Sequence, residues 1–151
     1  MSIKVGVIGV GGMLQYHAAG FRQAGAEIIA VADAAPGAAA KAAAKWDIAT
    51  PYETVEAMLA APEIDAVSVI VPNKFHKSLA IQCLEAGKHV FCEKPPALNA
   101  AEVQEIIAAA RKADKQVLFN FNNRARPESQ AMMTYINQGV AGTINSAQAK
   151  W

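Results

Sequence analysis

An apolar run that breaks into clustered glycines constrains this chain more than any other feature. Val5-Gly6-Val7-Ile8 leads into Gly9-Val10-Gly11-Gly12-Met13, and the next apolar run closes on Asp33. The first run reads as a strand over 3–9, the glycines as a tight turn, and 13–24 as a helix with Leu14, Ala18 and Phe21 on one face. A strand, turn and helix in this order can hold a dinucleotide pyrophosphate. Gly9 permits the turn, and Gly11 carries no side chain to keep phosphates off the backbone. The helix then aims its free N–H groups and positive dipole end at the anion. Asp33 lies 24 residues after Gly9, close to the spacing at which a carboxylate accepts hydrogen bonds from an adenosine ribose. Two plainer readings stand beside this one: a tight βα turn without a ligand, and an Asp33 that caps the next helix. Glycines, strand, helix and acid in register weigh against the first, and the second is compatible with ribose binding.

The rest of the chain alternates short β-branched runs with helical stretches, the pattern of βαβ units and a parallel sheet. Strands are expected at 28–33, 66–71, 89–93 and 117–121, with a poor, short one at 48–49 and a last one at 144–151. Helices are expected at 36–46, 54–60, 76–86, 100–113 and 128–138. In the clearest of them Val103, Ile106, Ile107 and Ala110 follow helical spacing, with Asn99 as N-cap. Met132, Met133 and Tyr135 read as packing residues of the last helix. The fold class is α/β, a Rossmann-type doubly wound parallel sheet.

With 151 residues, 53% of them hydrophobic, the chain has the size of one ordinary domain. A net charge of +1, with 14 dispersed basic residues, points to neither nucleic acid nor an anionic membrane as partner. Arg111, Lys112 and Lys115 read as a solvated helix end. Cys83 and Cys92 fit no metal spacing and read as buried free thiols of a reducing compartment. No signal-peptide pattern and no apolar run of about 18 residues occur, so a cytoplasmic location is expected.

Three further segments each fall at the C-terminal end of an expected strand, where doubly wound proteins bind ligands in a crevice. They are Val71-Pro72-Asn73-Lys74-Phe75-His76, Cys92-Glu93-Lys94-Pro95-Pro96 and Asn120-Phe121-Asn122-Asn123-Arg124. With the glycine turn they resemble the glucose–fructose oxidoreductase / inositol dehydrogenase (Gfo/Idh/MocA) family of nicotinamide-dependent oxidoreductases. The resemblance runs from Ile3 to Trp151 and is most specific over 85–95. It implies a dinucleotide-binding domain over 1–122, with 123–151 beginning the connection to a C-terminal substrate and oligomerisation domain. It further implies that Gly9, Gly11, Gly12 and Met13 meet the pyrophosphate and Asp33 the ribose. Val71, Pro72, Asn73, His76, Glu93, Lys94 and Asn122 would border the cofactor, with Lys94 as the catalytic residue. Chemistry independent of the resemblance agrees for Lys94. An ammonium near a reacting C–O bond stabilises the charge that grows on oxygen, and burial beside the nicotinamide would ease proton exchange. Glu93 could orient it.

The chain departs from the family pattern in four places. Leu14 stands where a third glycine or another small residue is usual, which predicts a looser helix–strand contact. Asn120 replaces a glycine and Ala125 an aromatic residue. No Asp-x-x-x-His segment occurs, although the resemblance implies one in the C-terminal domain.

The expected function is that of the cofactor half of an NAD-dependent oxidoreductase acting on a sugar, cyclitol or polyol hydroxyl. The full-length form would be a homo-oligomer, and this segment alone a poor catalyst. NAD is preferred over NADP because Asp33 repels a 2′-phosphate while Ala34 and Ala35 supply neither cation nor hydroxyl. A non-catalytic NAD(P)-binding sensor or regulatory module of the same family is the alternative. A short-chain dehydrogenase lacks support, since no Tyr-x-x-x-Lys pair is present. His17 reads as structural, His89 as a strand opener, and His76 equally as a cofactor contact or a residue bonded to local backbone.

Overall fold

A computed structural model of the chain describes residues 2–148. Six strands alternate with helices: β1 (Lys4–Ile8), α1 (Leu14–Gln23), β2 (Glu27–Ala32), α2 (Ala38–Trp46), β3 (Thr50–Tyr52), α3 (Val55–Leu59), β4 (Ala66–Val69), α4 (His76–Glu85), β5 (His89–Cys92), α5 (Ala100–Ala113) and β6 (Val117–Phe119), followed by α6 (Pro127–Asn137). The strands form one parallel sheet in the order β3-β2-β1-β4-β5-β6. Strand order reverses between β1 and β4. Chain connections leave that point in opposite directions, opening a crevice at the strands' C-terminal ends.

Period-two alternation along the strands sends side chains to two separate cores. Val5, Val7 and Val31 join Leu14, Ala18, Ala39, Ala42 and Ala43 of α1 and α2. Ile8, Ala30, Ala32, Val67 and Val69 join Met58, Ala80, Cys83, Leu84 and Ile106 from α3, α4 and α5. A sheet covered on both faces explains the nearly continuous apolar runs of β1 and β4. Both free cysteines are buried there. Burial pushes each thiol up to about 12, reinforced by the charge of Cys92 on Cys83 and of Glu93 on Cys92.

Two local expectations are corrected. The third strand lies at Thr50–Tyr52, not at 48–49, and it pairs only with β2. Pro51 is tolerated because an edge strand has one side without ladder bonds, while Ile48 turns into the core. Leu14 opens no gap between helix and sheet. It is 1% exposed and fills the space between α1 and the β1–β2 face. Asn99 caps α5 as expected, its side chain accepting from the Glu102 amide at 3.0 Å.

One buried cation carries no sequence signal of its role. The Lys88 ammonium donates to the carbonyls of Ala61 (2.7 Å) and Ile64 (2.8 Å), closing the bend between α3 and β4.

The chain divides into two compact units, Met1–Asn120 and Phe121–Trp151. The second holds a 3-10 turn, Asn122–Ala125, and α6, which Pro127 opens. Against expectation, α6 has no buried residue, and Met132, Met133 and Tyr135 are exposed. An apolar stripe packs only where a surface covers it. Residues 144–148 form no strand, and 149–151 lie outside the described residues. No helix among the described residues is long and apolar enough to cross a membrane.

Candidate functional site

The crevice is built first by Gly9. Its φ of 93° is open to glycine and strained for other residues. A Cβ there would stand 2.6 Å from the Ile70 carbonyl oxygen. The Gly9 amide donates to Ala32 O at 2.8 Å, and Ile70 N to Ile8 O at 2.9 Å. The end of β1 is thus pinned to both neighbouring strands. Around Gly11 and Gly12 the situation is opposite: a Cβ on either would meet nothing within 4 Å. Their lack of side chains is therefore not explained by packing.

The α1 helix follows with Met13 at its N-cap, no side-chain cap and no acidic residue in its first turn. Its positive end is uncompensated, and orphan N–H groups there favour an anion.

Asp33 ends β2 beside this turn. Its Oδ2 accepts from the Val10 amide at 2.8 Å, and its Oδ1 from the Ala35 amide at 2.8 Å. It does not cap α2, whose N-cap is Gly37. Each carboxylate oxygen offers two acceptor positions, so one remains on each for a donor arriving from the cleft. That cleft has a volume of about 400 Å³ and runs from Gly9, Gly11, Asp33 and Ala34 to an apolar wall that includes Val55, Val71, Pro72 and Phe75. Asn73 opens the adjoining 3-10 turn and is exposed.

His76 is fully buried. Its Nε2 lies 2.9 Å from Val71 O and its Nδ1 2.7 Å from Pro95 O. Carbonyls only accept, so the neutral ring donates to one and the protonated ring to both. The side chain thus stitches the loop after β4 to the loop after β5 and turns inward, away from the cleft surface.

Glu93 is also buried, at 7% exposure. Its Oε1 accepts from His17 Nε2 at 2.9 Å and from Asn120 Nδ2 at 2.7 Å, and its Oε2 from the Lys94 amide at 3.2 Å. Because a carboxylate only accepts, His17 Nε2 carries a proton, while Nδ1 lies 2.9 Å from the Ser68 hydroxyl, which can donate to it or accept from it. Burial alone would push the Glu93 carboxyl up. The bonds from His17, Asn120 and the Lys94 amide outweigh it and hold the group below the usual glutamate range.

Lys94 itself is exposed, joined to Pro95 by a cis peptide bond. No ion pair among the described residues engages its ammonium. Asn122 lies in the second unit, exposed at the start of its 3-10 turn. Among the described residues no cluster of His, Cys, Asp and Glu could hold a metal ion.

Neither the Ser68 contact with His17 nor the Asn120 bond to Glu93 carries a signal in the sequence. His17 offered one signal, its place three residues after Leu14 on the inward face of α1.

Comparison with known proteins agrees with this fold. Residues 3–121 match the family model described as an oxidoreductase family with an NAD-binding Rossmann fold. The D-glucoside 3-dehydrogenase of Escherichia coli K12 is 34% identical over 150 residues, covering 98% of this chain and 43% of that protein. The crystal structure of an NAD-binding oxidoreductase from Klebsiella pneumoniae superposes with a TM-score of 0.86 at 32% identity, over 94% of this chain and 40% of that one. The scyllo-inositol dehydrogenase of Lactobacillus casei, solved with NAD(H) and scyllo-inositol, superposes with a TM-score of 0.86 at 25% identity, over 95% of this chain and 43% of that one. The chain spans about two fifths of the length of these relatives.

Proposed function

This chain belongs to the oxidoreductase family with the NAD-binding Rossmann fold, Gfo/Idh/MocA, and from that premise we propose that it serves an NAD-dependent dehydrogenase of a sugar, cyclitol or polyol hydroxyl. The observation that carries the cofactor reading is the switch-point arrangement. An uncapped helix end follows two glycines with open space around them, and Asp33 stands beside them with unused acceptor positions. These features fit a dinucleotide: N–H groups of the turn and first helical turn for the pyrophosphate, Asp33 for the ribose, and the apolar wall for a flat base. When bound, the nicotinamide supplies the hydride-accepting and hydride-donating chemistry.

Lys94 takes the catalytic role in this reading. Its ammonium hydrogen-bonds the substrate oxygen, stabilises the charge developing there and exchanges a proton with it. Substrate class is supported by the relatives, whose names specify a glucoside and an inositol. NAD is favoured over NADP because Asp33 disfavours a 2′-phosphate and Ala34 and Ala35 cannot pair with one.

Calorimetric titration of NADH into the folded chain tests the cofactor site. Saturable binding is expected, and no heat at millimolar NADH would overturn the proposal. Turnover of the full gene product against a polyol panel tests the chemistry. There Lys94→Ala should abolish activity with NADH affinity within about threefold of wild type; retained activity removes Lys94 from the mechanism.

A further inference from the structure

We propose that His17 is a positioning residue for Lys94, acting through Glu93, and that it sets the register between the glycine turn and the Lys94 ammonium. This rests on the reading above, in which both ends of that span touch the cofactor.

His17 sits in the first turn of α1, and its amide donates to Met13 O at 3.2 Å, inside the segment that forms the anion site. Its ring reaches across the sheet end to Glu93 at 2.9 Å, and Glu93 in turn accepts from the Lys94 amide. Ser68 of β4 holds the far side of the ring, and Asn120 beyond β6 shares the same Glu93 oxygen. Phe21 and Phe91 flank the imidazole with ring centroids 6.1 and 5.5 Å away. The His17, Ser68 and Glu93 groups are buried, and a donor or acceptor displaced among them is left without water to replace its partner, which makes this part of the chain stiff. On the other flank, His76 holds the Pro95 carbonyl. The exposed Lys94 therefore projects from a backbone fixed on both sides by buried imidazoles. A purely packing role for position 17 would need neither the Ser68 nor the Glu93 bond.

The test uses His17→Leu, which removes the donor to Glu93, and His17→Gln, whose amide N–H can replace it. Calorimetry gives the Kd for NADH. Mass spectrometry follows acetylation of Lys94 by an N-hydroxysuccinimide ester with and without NADH. In the wild type NADH should protect Lys94. His17→Leu should keep the Kd within about threefold yet reduce that protection about tenfold, the scale of one lost hydrogen bond to a charged group; His17→Gln should restore it. Undiminished protection in His17→Leu would overturn the inference, as would a Kd weakened as much as the protection. Should His17→Leu not fold, Asn120→Ala, which removes the other donor to the same oxygen, is expected to show the same loss of protection, and full protection there overturns the inference. A wild type that binds NADH without protecting Lys94 refutes the placement of Lys94, and one that binds no NADH refutes the cofactor reading.

Discussion

The Asp33 carboxylate accepts a hydrogen bond from the Val10 amide at 2.8 Å, tying the end of β2 to the glycine turn that follows β1. One side chain therefore does two things: it shapes the turn, and it presents acceptor positions to the cleft. Asp33→Ala should lower NADH affinity about tenfold or more, the scale of a lost bond to a charged group. It should also cost about 1–3 kcal/mol of stability, since the Val10 amide loses its partner. Calorimetry with both coenzymes should find a lower Kd for NAD(H) than for NADP(H) in the wild type and a narrower gap in the variant. Residual NADP(H) binding should then depend on Lys41 and Lys45, which border the α2 side of the glycine turn.

Gly9 and Gly12 should respond differently to the same substitution. Gly9→Ala forces a Cβ against the Ile70 carbonyl at a left-handed φ, and a loss on the order of 3 kcal/mol is expected. Gly12→Ala meets open space and should leave stability within about 0.5 kcal/mol, while weakening NADH binding. Denaturant melts paired with titrations separate the two effects; unchanged NADH affinity in Gly12→Ala would argue against a pyrophosphate at this turn.

Lys88→Met keeps most of the aliphatic stem but strips the Ala61 and Ile64 carbonyls of their shared donor. Two buried acceptors left unpaired predict a loss on the order of 3 kcal/mol, read from the urea midpoint. Cofactor affinity should stay unchanged, since this bend lies at the N-terminal edge of β4, away from the cleft.

Glu93 links stability to acid. Its carboxyl is held below the usual range in the folded protein, so the folded state binds this proton less readily than the unfolded chain. The ionised group's contribution is complete above the unfolded value, about 4.3, and is lost as pH falls from there through the depressed native value. Glu93→Gln removes the titration, and the acid limb of its stability curve should be shallower by up to one proton. An unaltered acid limb would show that other carboxyls govern acid unfolding.

Much of this was legible in the chain itself. Hydrophobic period, glycine and proline placement and helix caps are local quantities, and they were enough for the alternating α/β order and the Asn99 cap. They were enough also to place Val71, Glu93 and Asn120 within two residues of strand ends, although the strands stop at Val69, Cys92 and Phe119. The misreadings share one cause. Pro51 is compatible with a strand only at an edge, and edge status depends on which strands pair. Leu14 is an obstacle or a plug depending on the space opposite it. The stripe of Met132, Met133 and Tyr135 is core only if something covers it.

From the sequence alone came the doubly wound fold, the glycine turn with its acidic partner and the family, because each depends on neighbours along the chain or on fixed spacing. Only the tertiary structure decided that buried His17, Ser68 and Glu93 and half-buried Asn120 form one hydrogen-bonded chain leading to the Lys94 amide, and that His76 faces inward on two carbonyls. Apart from Val71, five residues from His76, and Lys94, next to Glu93, those partners lie 19 to 76 residues apart. Hydrogen bonds are short-ranged and directional, so no pattern along a chain can report which distant donors and acceptors the fold will bring within 3 Å.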